Sequence, residues 1–320
     1  MSTTPGGTTA SGDRNTWALA RLRQNRVGIW TAALDAVSPR AAGAHAAELE
    51  DLGYGSLWFG EAYGREAFTT AGLLLSATDR LVVATGIATI YGRDAVTGNA
   101  ASRTLEAAHP GRFIVGWGVS HDPVVQRLRG HRPGRPLRTM RAYLDAMDDA
   151  PFLAYGAQSA PPRVLAALQP AMLGLSATAA DGAHTYLVTP DHTRTARAAL
   201  GPDAFLCVEQ AVVLTADRDE AALRAQWHLA IYTGLPNYRA SWRRQGFTDE
   251  DFVSGGSRRL QEALVVRGDA DTIAQRVREH LDAGADHVVV QALGTSPFDV
   301  PAGQWRALAP ALARIDPGPR

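Results

Sequence analysis

The densest chemistry in this chain lies in Gly111-Arg-Phe-Ile-Val-Gly-Trp-Gly-Val-Ser-His121. An apolar run suited to a strand ends in Gly116 and Gly118 and leaves through a polar exit. Backbone N–H groups, the Trp117 indole, the Ser120 hydroxyl and the His121 imidazole therefore gather at one strand end, where a (β/α)8 barrel keeps its active site. Without side chains, the two glycines let a planar ring lie close to the backbone. The competing reading is relief of crowding at a twisted strand end.

Other chemistries lack their motifs. Gly116 to Ser120 is not the G-x-G-x-x-G opening of a dinucleotide fold, and no phosphate-binding loop with its lysine occurs. There is no H-E-x-x-H, no cysteine pair and no G-x-S-x-G nucleophile elbow. Redox chemistry through a bound organic cofactor gains by subtraction, with no metal expected. The 32 basic and 32 acidic residues cancel, which argues against nucleic acid or an anionic membrane as partner, although a local basic pocket stays hidden in the total. The single Cys207 sits in an apolar run and reads as a buried thiol. With no apolar segment of membrane-span length and no signal-like start, a cytoplasmic protein is expected.

The elements that position these residues alternate. Strands are expected at 25–30, 54–59, 81–90 (broken near Gly86), 113–118, 162–168, 183–188, 205–214 and 287–293, with helices between them. Ser38-Pro39 and Gly53 bracket the first of these helices. The repeats predict an α/β fold, a TIM-like (β/α)8 barrel, with an open doubly wound sheet as the alternative. Residues 1–14 read as a disordered tail and 15–320 as one barrel domain. Residues 234–256 form an insertion after the seventh strand, whose Trp242, Phe247 and Phe252 need a surface to cover, through a helical excursion or a homodimer contact.

The order of blocks resembles the bacterial luciferase-like superfamily, in particular its coenzyme F420-dependent oxidoreductases, from about Val27 to Leu293. The blocks are Leu52-Gly-Tyr-Gly-Ser-Leu-Trp-Phe-Gly-Glu61, Leu81-Val-Val-Ala-Thr-Gly-Ile-Ala-Thr-Ile90, Pro110 to His121, Ala180-Asp-Gly-Ala-His-Thr-Tyr-Leu-Val-Thr-Pro190 and Gly284-Ala-Asp-His-Val-Val-Val290. The resemblance implies a deazaflavin, F420, or alternatively FMN, lying across the C-terminal mouth of the barrel. It also implies a non-prolyl cis peptide within 86–90, with Ala88 and Thr89 the first choices. Trp30 would wall a small-molecule substrate, and Glu61 would accept a hydrogen bond or act as an acid if burial raises its pKa. His121 would donate a proton. Gly116, Trp117, Gly118 and Ser120 would meet the ring, and Ser176, Asp181, Gly182 and Ala183 the cofactor tail. The family's basic residue after the fifth strand is missing from Leu168-Gln-Pro-Ala-Met-Leu-Gly-Leu-Ser176, which moves a phosphate contact to Arg93 or Arg163, or removes catalysis. F420 implies hydride transfer to C=C, C=N or carbonyl groups, or the reverse alcohol oxidation. FMN implies a monooxygenase, and a filled groove a non-catalytic barrel.

Overall fold

The computed structural model describes residues 14–156, 159–296 and 299–315; the expected tail lies outside them apart from Arg14. The barrel strands are β1 (Val27–Trp30), β2 (Ser56–Phe59), β3 (Val82–Thr85), β5 (Phe113–Gly118), β6 (Arg163–Ala166), β7 (Gly182–Thr185), β8 (Phe205–Leu214) and β10 (His287–Ala292). All pairings are parallel, and β10 joins both β8 and β1, which closes the ring and excludes the open sheet. Two further strands lie off the ring: β4 (Ala88–Thr89) on β5, and β9 (Val265–Gly268) on the end of β8. Nearly every ring residue is buried, because one strand face looks into the lumen and the other under the helices.

The outer layer runs α2 (Pro39–Asp51), α3 (Ala67–Ser76), α4 (Ala95–Ala108), α5 (Pro136–Asp148), α6 (Pro170–Ala179), α7 (Pro190–Leu200), α8 (Arg218–Tyr232) and α11 (Ala270–Asp282). Ser38 caps α2 by accepting from Ala41 N, with Pro39 at the helix start. Ile273, Val277 and Leu281, four apart on α11, are all buried. The last helix, α12 (Ala302–Leu312), lies beside α11 and α2 rather than under the barrel: Tyr54 Oη donates to Trp305 O at 2.8 Å, and Arg306 pairs with Glu48.

The bottom is closed by α1 (Trp17–Gln24), a helix the sequence reading did not assign. Its Ala18, Leu19 and Leu22 pack into the lumen among Val82, Ile114, Phe205 and Val289. Cys207 is buried in that same cluster, as its apolar surroundings suggested. Over the upper end, 234–256 contributes α9 (Pro236–Arg244) and a 3-10 turn, followed by α10 (Arg258–Leu264). Trp242, Phe247 and Phe252 pack onto Leu187, Ala211 and Val213 of their own barrel. The insertion is thus the helical excursion, and its rings are used within the subunit.

Candidate active site

The mouth is built from the last lumen-facing residue of several strands. Trp30 ends β1, and its Nε1 donates to Gly86 O at 2.9 Å. Its ring centroid lies 5.3 Å from that of Tyr186, which follows β7. Tyr186 Oη donates to Gln291 Oε1 at 2.8 Å and accepts from Tyr232 Oη at 3.2 Å. Tyr232 on α8 and Tyr238 on α9 are 4.9 Å apart edge to face, and His121 stands 5.8 Å from Tyr238. The insertion therefore roofs the mouth with aromatic rings. Burial lowers the pKa of His121, with Asp122 acting the other way, so a neutral, acceptor-capable imidazole is expected at neutral pH.

Glu61 is committed to local structure. Its N–H donates to Ile87 O at 3.0 Å, and its Oε2 accepts from Thr89 N at 2.9 Å and from Arg93 Nη1 at 3.1 Å. Arg93 also reaches Glu66 Oε1 at 2.8 Å and lies 5.0 Å over the Phe68 ring. The Glu61 and Arg93 side chains are only 5% and 6% exposed, so the carboxylate braces the segment between β3 and β4 from a dry position. The non-prolyl cis bond falls in that segment, between Gly86 and Ile87, within the expected window but not at Ala88 or Thr89. Those two residues instead pair with Trp117 and Gly118.

The glycines of β5 serve this segment. A Cβ on Gly116 would lie 2.1 Å from Thr85 O, and one on Gly118 2.4 Å from Ile87 Cδ1. The space once expected for a cofactor ring against these glycines is filled by the Thr85–Ile87 crossing, so a ring would meet Ile87 rather than the glycine backbone. Trp117 turns outward: its indole is buried against Phe68 at 5.6 Å and Tyr143 at 5.2 Å, so only its backbone belongs to the lumen wall. Ser120 takes a left-handed conformation at φ 55 where the chain leaves the strand.

The expected tail-binding residues lie at the other end. Asp181, Gly182 and Ala183 enter β7 from below, on the face opposite the mouth, and Asp181 accepts from Arg14 Nε and Arg163 N, each at 2.8 Å. Ser176 is buried late in α6 and donates to Met172 O at 2.8 Å. The resemblance implies these residues for the cofactor tail, but a strand-entry turn and a late position on α6 both lie away from the mouth. Neither substitute cation is free. Arg93 is held by Glu61 and Glu66, and Arg163, at the foot of β6, makes a two-pronged pair with Asp148 at 2.6 and 2.8 Å.

Sequence reasoning passed over Glu209. It sits inside the apolar run Phe205-Leu-Cys-Val-Glu-Gln-Ala-Val-Val-Leu214, on the same alternating face as Phe205 and Cys207, and that parity was the signal available. The residue is fully buried. Burial pushes its pKa up to about 8, against a hydrogen bond from Leu187 N to Oε2 at 3.0 Å. Among the described residues Oε1 has no hydrogen-bond partner, and neither does Nε2 of His228, whose ring is 6.2 Å from that of Tyr186. Tyr186, Tyr232 and Tyr238 all lie within the influence of the Glu209 charge.

Residues 22–287 match the model of the luciferase-like monooxygenases. The chain belongs to this family. A Mycobacterium tuberculosis protein, named provisionally as a coenzyme F420-dependent oxidoreductase, is 25% identical over 308 residues, covering 77% of this chain and 89% of that one. Among solved structures, an F420-dependent secondary alcohol dehydrogenase in complex with an F420-acetone adduct superposes with TM-score 0.70 at 15% identity, over 90% of this chain and 99% of its own. An EDTA monooxygenase from Chelativorans sp. BNC1 reaches the same TM-score of 0.70 at 12% identity, over 92% and 95%. These two likenesses establish the fold.

A luciferase-like barrel with this mouth suits a planar, polar ring on one observation. Glu209 Oε1 and His228 Nε2 are buried polar atoms left without partners beside aromatic faces. Trp30, Ile87 and Tyr186 are the residues that would flank such a ring. Among the described residues no group of three or more His, Cys, Asp or Glu is disposed to hold a metal, and no helix is long and apolar enough to cross a membrane.

Proposed function

We propose that this protein is an F420-dependent oxidoreductase that transfers a hydride between reduced deazaflavin and a small or mid-sized organic substrate, with reduction of C=C, C=N or carbonyl as the forward reaction. The observation that carries this reading is Glu209: a carboxyl group kept protonated at neutral pH by burial, with one oxygen unengaged, under an aromatic roof. The relative from M. tuberculosis supports the deazaflavin. FMN-dependent monooxygenation is the second reading, favoured by the family model's match and the equal likeness to EDTA monooxygenase.

When bound, reduced F420 supplies a hydride to one substrate atom. The neighbouring atom gains negative charge and needs a proton, which Glu209 holds on a carboxyl oxygen in the dry lumen. Its loss leaves a carboxylate still bonded to Leu187 N. Trp30, tied to Gly86 O, and Tyr186, tied to Gln291, give the substrate two fixed aromatic walls and exclude water. Glu61 acts through the segment it braces and not on the substrate; His121, neutral at the rim, is the further proton carrier.

Because the acid form is the working form, reduction should slow as pH rises through about 8. Glu209→Gln should lower kcat by roughly 100-fold or more, with a smaller change in KM, and abolish that alkaline limb. The check is spectrophotometric oxidation of reduced F420 against a panel of enones, imines and ketones. Unchanged rates and profile in the variant would remove Glu209 from the mechanism. No oxidation with any acceptor would contradict the activity itself.

A further inference from the structure

Helix α8 is apolar nearly all round, the pattern of a helix buried on both sides. Its inner face, Ala221, Ala225 and Leu229, is buried against the barrel. Between Ala221 and Tyr232 its one formally charged side chain, Arg224, is tied to Glu220 and to Leu293 O. The outer face is nonetheless exposed. Leu223, Trp227 and Ile231 form one row of residues four apart, and Ala222, Gln226 and Ala230 form the row beside it. Leu223 is 47% exposed, Trp227 54% and Ile231 71%. Val253, 62% exposed, extends the patch, because its neighbour Ser254 is held to the same face: Gln226 Nε2 donates to Ser254 O at 2.7 Å. Other outer helices differ, since α5 turns Arg138, Arg141 and Asp145 to solvent and α11 turns Asp271 and Asp282. The four exposed apolar residues of the patch present on the order of 500 Å², the size of a large and functional patch on a single subunit.

From this face we infer that α8 is a self-association surface, covered by α8 of a second copy of this chain running antiparallel across a two-fold axis. A two-fold contact must match its own reversed image, and this face does. With the axis beside Trp227, that ring meets its counterpart and Leu223 meets Ile231 of the partner subunit. The row Ala222, Gln226, Ala230 reverses onto itself in the same way, small against small. Rows of this kind interlock as ridges in grooves. No charge on the face is set against its own copy. Asp219 lies as far before Trp227 as Leu235 lies after it, so it comes to the start of the partner's α9, a helix without a side-chain cap, and an acid meets a positive helix end. The two sides together bury on the order of 1,000 Å², the lower bound of a specific interface, which suits a reversible dimer. The same helix carries His228 and Tyr232 toward the mouth, so the contact steadies an element whose other side lines the site. Such a dimer is independent of the proposed activity and of which ring the mouth receives.

The test is sedimentation velocity of the whole protein over a concentration series. Wild type should pass from monomer to dimer as concentration rises, and its tryptophan emission should move to the blue as Trp227 leaves water. Leu223→Glu and Ile231→Arg, both at exposed positions, should each weaken the dimer by about tenfold or more, because a lone charge is then buried in the contact. Leu223→Glu/Ile231→Arg in one chain sets opposite charges against each other at both contacts across the axis and should restore most of the association. Val96→Glu, at a comparably exposed apolar position on α4, should leave it within about twofold. The idea fails if wild type stays monomeric throughout, if the dimer survives the single substitutions, or if the double variant does not recover. Co-sedimentation of wild type with phosphatidylcholine vesicles, lost in Leu223→Glu, would equally overturn it, by giving the face to a lipid surface. Failure of F420 to bind leaves every one of these readouts standing, and the reverse.

Discussion

At the scale of single residues, two carboxyl groups share the mouth and are set apart by their partners. Glu61 is held by Arg93 in a dry position and is therefore structural in effect. Glu61→Ala would leave a buried guanidinium with only the more exposed Glu66, and should cost about 3 kcal/mol of unfolding free energy in urea titrations. Glu209 behaves oppositely. Its folded pKa is raised from 4.5 to about 8, so it contributes stability in full below its ordinary range and loses that contribution as pH rises through about 8. Glu209→Gln, uncharged throughout, should gain stability relative to wild type across that window; a gap between the two urea midpoints that does not vary with pH would show that Glu209 is not held protonated. Glu61 was legible in the sequence because it follows Leu57-Trp-Phe-Gly directly at a strand exit. Glu209 was not, because an apolar run hides a single charge whose environment only the closed lumen creates. Ser176 and Asp181 show a further limit: residue type announces polarity, but only chain direction says which end of the barrel it serves.

At the scale of elements, periodicity located all eight ring strands, since each is a short apolar run bounded by glycine, proline or polar residues. It failed where local pattern and role part company. The third expected strand is two, β3 and β4, parted at the Gly86–Ile87 bond, and the sixth stops at Thr185 before Leu187 turns to φ 54. The α1 plug is too short and too mixed in composition to stand out, and owes its place to the open bottom of the barrel. The α9–α10 roof was legible only as unplaced aromatics. Trp242 anchors that roof, buried at 0% exposure with Nε1 donating to Leu187 O at 3.0 Å, next to the backbone that holds Glu209. Trp242→Ala should cost about 3–5 kcal/mol. Hydrogen exchange should then rise first in α9 and at Leu187, whereas a loss spread evenly over the barrel would deny the roof its own anchoring.

At the scale of the whole molecule, the lumen and helix layer store neutral imidazoles. Burial lowers His184 and His228 to about 4, and His280 and His287 to about 3. His280 is held by Thr193 Oγ1 at 2.8 Å and Gln210 Oε1 at 2.9 Å, and His287 by Ser56 Oγ at 2.7 Å. Each has a folded pKa below its unfolded value of 6.5, so its contribution is complete above 6.5 and lost as pH falls toward those lower values. Four such groups outweigh the single opposing carboxyl, and urea midpoints should fall steeply on acidification below 6.5; a flat profile down to about 4 would mean the imidazoles are not buried as described. The proposed hydride transfer belongs at the mouth, where the buried Glu209 carboxyl stands beneath the aromatic roof. The most direct measurement is parallel titration of the purified protein with oxidised F420 and with FMN, followed by quenching of the intrinsic tryptophan fluorescence, to which Trp30 at the mouth contributes. Saturable F420 binding at least about tenfold tighter than FMN, a difference of about 1.4 kcal/mol, is the result expected. Preference for FMN, or saturation by neither, would contradict a deazaflavin-dependent hydride transfer.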